Sequence, residues 1–435
     1  MNRRNFLKSA ALAGVAGALA GTGASVLEAA AAERSADIKS IRNYNPDMRY
    51  RTFGKTGDKV SVLGFGTMRL PTVGNDYGKV DVPAAMKLVR HALDNGLNYI
   101  DTSWPYHSTD NMKGGASEPF VGKVVKSAGR DKFYIATKLP IWAVNSRTDM
   151  DTFLDTQLKR LNTDHVDYYL VHSIRQEVWD KMVSLNLSDF LDKAVQSGRV
   201  RHVGFSAHDI PETYRQIMDY YDWSFNQHVC NYYDVNFQAG MRGIRQSALK
   251  DMGFVAMEGL MGGMLADQLP QEAIDVLNAT GISRSPASWA FRWIWEQPEV
   301  SVAISGMNRM DHLDENLSQA AEADVPMTAE EIAAIDKVRE ILKAKGPIKC
   351  IECGKCSCPM GVGIQMCFEM YNANHAFKVP HISHHNYGMS VKSGMRAAEN
   401  CDGCGRCKGQ CPVGLDIPTE LKKVVAEFKD AGSNW

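Results

Sequence analysis

The sequence predicts an α/β fold: a (β/α)8 barrel of the TIM type over most of the chain, followed by a smaller cysteine-rich module. Three observations carry this. Eight short apolar runs alternate with amphipathic segments between Val60 and Ser305, the pattern of a parallel sheet that closes with its helices outside. No G-x-G-x-x-G turn follows the first run, so an open, doubly wound sheet is the weaker alternative. Nine of the ten cysteines fall between Cys350 and Cys411, leaving only Cys230 before them.

The 435 residues suit one large domain plus a small one, and 44% hydrophobic residues fill a substantial core. A net charge of −1, from 49 basic and 50 acidic residues without a long basic run, argues against a nucleic-acid partner.

Residues 1–32 read as a targeting signal. Asn2 to Lys8, NRRNFLK, follows the twin-arginine pattern, an Ala/Gly/Leu-rich stretch runs from Ala10 to Ala24, and Ala30 to Ala32 offers a small-residue cleavage site. The expectation is an exported, periplasmic protein, with membrane attachment only through an uncleaved signal.

From Glu33 to Asp47 the chain is polar and unpatterned. Met48 to Gly66 reads as a hairpin leading into the barrel. The eight runs are Val60 to Gly64, Tyr99 to Thr102, Phe133 to Lys138, Val166 to Val171, Val200 to Phe205, Ser224 to Val229, Gly253 to Met257 and Val300 to Ser305. Helical patterning falls between them at Ala84 to Asn95, Glu118 to Ser127, Met150 to Leu161, Asp189 to Ser197 and Pro211 to Tyr220. Thr328 with Glu331 three residues on predicts a capped helix to Lys345, and Gly346-Pro347 ends it. The barrel domain is therefore 48–345 and the module 346–435.

If the runs are neighbouring parallel strands, their carboxyl ends share the face where barrel enzymes keep their chemistry. Asp101 and Tyr106 follow one run within GLNYIDTSWPY, Lys138 closes FYIATK and His172 closes VDYYLVH. An acid, a phenol, an ammonium and an imidazole then converge.

That quartet, with its flanking residues, resembles the aldo-keto reductases over about Arg49 to Asn316. The resemblance implies NAD(P)H-dependent interconversion of a small carbonyl and an alcohol. In that role Tyr106 is the proton donor, Lys138 lowers its pKa, Asp101 holds Lys138, and His172 orients the carbonyl. It also implies cofactor contacts. Ser206 in VGFS and Gln227 meet the nicotinamide carboxamide. Ser305, Gly306, Met307, Arg309, His312, Glu315 and Asn316 hold the phosphates and adenosine, where helix amino-terminal amides favour pyrophosphate. Three positions depart from the pattern: Ala207 where asparagine is usual, Met257 in place of the stacking aromatic, and His312 where a basic residue reads the 2′-phosphate. NADP and NAD both stay open.

In the module, Cys401-x2-Cys404-x2-Cys407-x3-Cys411-Pro412 matches the bacterial ferredoxin run. The earlier run, Cys350-x2-Cys353-x2-Cys356-x1-Cys358-Pro359, is shorter, but CPMGVGI repeats as CPVGLDI. This predicts a two-cluster ferredoxin-like domain with two [4Fe-4S] clusters in a crossed arrangement. Cys350, Cys353, Cys356 and Cys411 serve one, and Cys401, Cys404, Cys407 and Cys358 the other, with Cys367 as a spare. Zinc is the chemical alternative and disulfides the third. The linker between the runs, carrying His375, His381, His384 and His385, reads as a solvated loop, and Cys230 as a buried hydrophobe. The whole chain thus resembles aldo-keto reductases with a C-terminal ferredoxin-like domain, which implies a redox partner at that module. The other class of reading is an electron-transfer protein whose barrel is a docking scaffold without hydride chemistry.

Overall fold

The computed structural model describes residues 38–392 and 396–431. The segment read as an export signal lies outside the described residues. Strands β1 (Tyr50–Thr52) and β2 (Lys59–Ser61) form an antiparallel hairpin in the register Tyr50↔Ser61. Its turn includes Gly57 in the left-handed region, at φ 74°. The run expected at Val60 to Gly64 therefore divides: its first half closes the hairpin and its second half starts the barrel. Asn98 pins the division, accepting from the Ser61 amide at 2.8 Å while the Ser61 hydroxyl accepts from the Asn98 amide at 3.0 Å.

Eight parallel strands close the barrel: β3 (Leu63–Gly66), β4 (Tyr99–Asp101), β5 (Tyr134–Leu139), β6 (Val166–Ile174), β7 (Val200–Ala207), β8 (Phe225–Val229), β9 (Gly253–Met257) and β10 (Val302–Ser305), which pairs back onto β3. Side chains alternate along each strand, so every second residue enters the lumen. The lower lumen is aromatic. Tyr99, Tyr134, Tyr168 and Phe225 pack with Phe53, which the hairpin inserts from below; its ring meets Tyr168 edge-on at 4.9 Å. Gly204 leaves room for this, because a Cβ there would lie 2.6 Å from the Phe225 ring.

The helices between strands bury one face each against the sheet, as at Val82–Asp94 and Arg147–Leu161. The helix Ala329–Lys345 carries the expected cap, with the Thr328 hydroxyl accepting from the Glu331 amide at 3.2 Å.

Residues 346–431 have their own core, built around Ile348, Phe368, Tyr387, Leu421 and Phe428. The solvated loop expected between the cysteine runs is instead two helices, Ile364–Phe377 and Pro380–Tyr387. The first is buried almost all round, so its residues show no single polar face. The two cores interlock: Phe237 from the barrel packs in the module, and Phe377 from the module packs with the barrel. Among the described residues no helix is long and apolar enough to cross a membrane.

Candidate active site

The alternation that fills the lower lumen also builds its upper layer. Tyr99 is followed two residues on by Asp101; Tyr134 and Ala136 by Lys138; Tyr168 and Leu170 by His172. In the same way Gly204 leads to Ser206, Phe225 to Gln227 and Val255 to Met257. Each strand therefore delivers apolar groups below and a polar or soft group at its carboxyl end. Asp101 stands in register with Ala136, and Lys138 with Leu170, so each group lies two residues beyond the register partner of the one before it, the stagger of tilted strands in a closed barrel.

Lys138 Nζ donates to Asp101 Oδ1 at 2.7 Å, to the Thr102 carbonyl at 2.9 Å and to the Tyr106 hydroxyl at 3.2 Å. An ammonium has three hydrogens, and all three are used. Tyr106 comes from the turn after β4, and its ring lies 6.2 Å from that of His172. The His172 Nδ1 sits 3.0 Å from the Ser103 hydroxyl, and Trp142 packs on the imidazole at 5.2 Å. All four expected residues thus share one site.

Beneath it, Glu118 accepts from Thr137, Gln157 and Arg160, and Gln157 also donates to the Lys138 carbonyl at 3.0 Å. These bonds fix the backbone from which Lys138 projects.

The electrostatics differ from the expectation that Lys138 lowers the Tyr106 pKa. Burial, followed by the Asp101 carboxylate, raises Tyr106 well above an ordinary phenol, and the opposing cation is Arg69. Burial pushes Asp101 up and Lys138 down, each resisted by the other's charge. Burial, with Lys138 next, holds His172 far below its usual value, so the imidazole is neutral.

The cofactor candidates stand at the carboxyl ends of β7, β8, β9 and β10 and on the helix Met310–Ala321 that follows β10. Ser206 Oγ accepts from the Ser173 amide at 2.8 Å. Gln227 Nε2 lies 3.7 Å from Met257 Sδ, while its Oε1 is buried without a partner. Ser305, closing β10, accepts from Asn316 Nδ2 at 3.3 Å, with Gly306 and the buried Met307 beyond it. Glu315 is engaged by Ser285. Arg309 is held by Asp311 through two bonds, at 2.9 and 2.7 Å, and His312 is exposed beside them.

Two further residues at the mouth escaped the sequence reading. Arg69 follows β3, and Glu258, at φ 54°, follows Met257. Both occupy the strand-end position that marked the quartet, which is the signal that could have found them.

Among the described residues no three His, Cys, Asp or Glu side chains converge on a single metal-ion position. The thiols nevertheless fall into groups. Burial, then Cys411, Cys353 and Cys407, push Cys356 up to about 11, and Cys407 is raised by burial and by Cys358, Cys401 and Cys404. Backbone amides of Glu352 and Leu415 each point at a sulfur, Cys350 and Cys411, at 3.4 Å. Cys367 is apart, fully buried, its thiol 3.6 Å from the Arg396 carbonyl.

The sequence model of the Aldo/keto reductase family matches residues 62–340, more than half of the chain. L-galactose dehydrogenase of Arabidopsis thaliana is 26% identical over 67% of this chain and 95% of its own length. Aldo-keto reductase YhdN of Bacillus subtilis is 26% identical over 61% of this chain and 87% of its own. Among solved structures, an aldo-keto reductase from Klebsiella pneumoniae in complex with NADPH shares the fold at a TM-score of 0.52 and 24% identity, covering 67% of this chain and 95% of that one. Aldo-keto reductase AKR11C1 from Bacillus halodurans, in its holo form, does so at a TM-score of 0.54 and 23% identity, with 67% and 96% covered.

Proposed function

We propose, since this chain belongs to the aldo/keto reductase family, that it is an NAD(P)-dependent oxidoreductase interconverting a small carbonyl and its alcohol at the barrel mouth. The observation that carries the reading is the saturated Lys138 ammonium. Because the Tyr106 oxygen accepts from Lys138, the phenolic hydrogen points away from it and is free for a carbonyl oxygen. Burial keeps that hydrogen on the phenol at rest. Once it is given up, the phenolate faces an ammonium that Asp101 and Thr102 hold in place. Neutral His172, anchored by Ser103 at Nδ1, turns Nε2 to the ligand as an orienting group.

A bound nicotinamide dinucleotide supplies the hydride chemistry. The residues fit it: the unpartnered Gln227 Oε1 is an acceptor for a carboxamide N–H, and Ser206 and Met257 flank it. Arg309 would have to leave Asp311 to read a 2′-phosphate, so NAD and NADP are both accommodated.

The module is proposed to hold two [4Fe-4S] clusters that exchange electrons with a redox partner. Cys350, Cys353, Cys356 and Cys411 form one ligand set and Cys401, Cys404, Cys407 and Cys358 the other. In support, Cys356 feels Cys411 and Cys353 of its own set, with Cys407 of the other set after them, Cys407 feels Cys358, Cys401 and Cys404, and a cube takes each thiolate at a separate corner, so four sulfurs need not meet at one point. No strand is present among the described residues of 346–431, and the ferredoxin likeness rests on the cysteine spacing. Export by the twin-arginine route belongs to the same proposal, resting on residues 1–32.

The test is NAD(P)H oxidation by the anaerobically purified chain against a panel of small carbonyls, with Tyr106→Phe as control. Turnover lost in the variant supports the reading. A chain that binds no NAD(P)H overturns it in favour of the electron-transfer scaffold, for which the engaged Arg309 is the favouring observation.

A further inference from the structure

We propose that Arg69 is the anion-binding residue of the barrel mouth, taking a carboxylate or phosphate of the ligand at the seam between the barrel and the helix Pro380–Tyr387. The reading rests on the mouth being a ligand site and adds a charge requirement to it.

The placement of Arg69 is built rather than incidental. Its loop is tied to the turn that carries the proton donor: the Leu70 amide donates to His107 Nε2 at 3.1 Å, and His107 Nδ1 donates to the Tyr77 carbonyl at 2.8 Å. From there the Arg69 stem runs across the β10 loop. A Cβ on Gly306 would lie 3.1 Å from Arg69 Cβ and 3.2 Å from its Cδ. The guanidinium ends over the β9 loop, where a Cβ on Gly262 would stand 3.4 Å from Arg69 Nη2 and 3.8 Å from Ile382 Cγ2. Glycine occurs at both places the side chain passes.

Ile382 belongs to the linker helix, and His385 lies one turn further along the same face. The proximity is felt electrostatically: burial and then Arg69 lower His385, and Arg69 opposes the rise of Tyr106 that burial causes. Two barrel loops and a module helix thus border the guanidinium, which stays open to solvent between them.

Among the described residues Arg69 makes no hydrogen bond and no ion pair. Glu258 begins the same β9 loop; burial raises it and the Arg69 charge opposes that rise, yet the two form no ion pair. A planar fork of five donors with no acceptor is suited to a carboxylate or phosphate. Two sources supply that chemistry: an acidic group on the substrate, or a phosphate of the dinucleotide.

Calorimetric titration of the full-length protein with malonate and with inorganic pyrophosphate, with and without saturating NADPH, tests this. One equivalent of anion should bind. Arg69→Gln should weaken it at least ~10-fold, the scale of a charge-assisted pair, and Glu258→Gln should tighten it by removing a repelling charge. The Arg69 side chain is exposed, so its variant keeps the wild-type melting temperature. If NADPH excludes both probes, the anion is the dinucleotide's phosphate. If malonate still binds the NADPH-loaded protein and Arg69→Gln abolishes this, the group belongs to the substrate. Anion binding lost in Arg69→Gln in a protein that binds no NADPH supports the subsite and defeats only the nicotinamide reading. No anion binding by the wild type, or equal binding by Arg69→Gln, overturns the proposal.

Discussion

Arg396 and Asp209 meet in a bidentate ion pair, Nη1 to Oδ1 at 2.7 Å and Nη2 to Oδ2 at 2.9 Å, that fastens the cysteine module to the loop after β7. The carboxylate is fully buried and also accepts from the backbone amides of Gln176 and Ile210. On the module side the Arg396 carbonyl accepts from the Gly363 amide, which follows the first cysteine run. The pair therefore links a barrel loop to the cysteine framework through two residues.

Removing one partner of such a pair leaves a buried charge uncompensated, at a cost of about 3–5 kcal/mol. Arg396→Met should lower the denaturation midpoint accordingly and speed tryptic cleavage of the module. The Asp209→Asn/Arg396→Met protein should lose less than the two single changes added together. Unfolding curves that superpose on the wild type would show that the pair does not hold the module.

For the proposed proton donor, Tyr106→Phe should reduce turnover by at least ~10²-fold with NAD(P)H affinity nearly unchanged. Lys138→Met should do comparable damage, because it removes the one group that, among the described residues, donates to the Tyr106 oxygen. Measured kcat and binding constants separate the two effects. Full activity in Tyr106→Phe would remove the quartet from the chemistry.

The pH dependence follows from the directions of the shifts. Tyr106 is raised well above 10.0 and His172 is pushed well below 6.5. Carbonyl reduction, which needs the protonated phenol, should stay level from about pH 6 to 9 and fall only in alkali. Alcohol oxidation needs the proton removed, so it should rise with pH over the same range. The buried neutral imidazole also sets a stability limit: below 6.5 the unfolded chain takes up a proton that folded His172 refuses, so stability falls as pH drops. A reduction profile with a midpoint near neutrality would contradict the assignment of the acid.

The barrel was legible because its strands are short, apolar and punctuated; Gly253–Met257 is read from the sequence with the bounds that the structure shows. Thr328 and Glu331 were legible because capping is local chemistry. The quartet could be picked out because Asp101, Lys138 and His172 end apolar runs and Tyr106 follows in the turn after the first of them. What stayed hidden depends on tertiary contact. The linker lacks a helical period because the helix Ile364–Phe377 is enclosed on nearly every side, so its Gln365 and Asn372 are buried along with Met366 and Phe368. Arg69 and Glu258 share the strand-end signal of the quartet but belong to no motif, so it is the closed barrel that singles them out at the mouth. The high Tyr106 pKa was missed because burial outweighs the neighbouring cation, a balance that residue types alone do not disclose.

If the two cysteine sets hold cubes, the reconstituted protein should carry about eight irons and eight sulfides. Cys358→Ala should lose one cluster. Cys367→Ala should keep both, since that thiol is buried against the Arg396 carbonyl, away from the other sulfurs. Iron and sulfide analysis with electron paramagnetic resonance reads the difference. Zinc in place of iron, or a cluster lost in Cys367→Ala, would overturn the ligand sets.

Under the proposed export no soluble NAD(P)H pool is expected around the protein, so a nicotinamide would have to be carried along with it. The helix Pro380–Tyr387 brings Ile382 to the β9 loop beside the Arg69 guanidinium, so a dinucleotide held at the mouth as proposed would leave past a module helix. The Arg396–Asp209 pair holds the module in that position. A dinucleotide bound before export would then be kept by slow dissociation, since residence time follows from how far the enclosing parts must open. Mass analysis of exported, desalted protein should find about one NAD(P) per chain by this argument, and Arg396→Met, with its module loosened, should retain less. Wild-type protein that emerges empty, yet binds added NAD(P)H rapidly and reversibly, would rule out retention. Empty protein that binds none would leave the barrel without hydride chemistry and give first place to electron transfer.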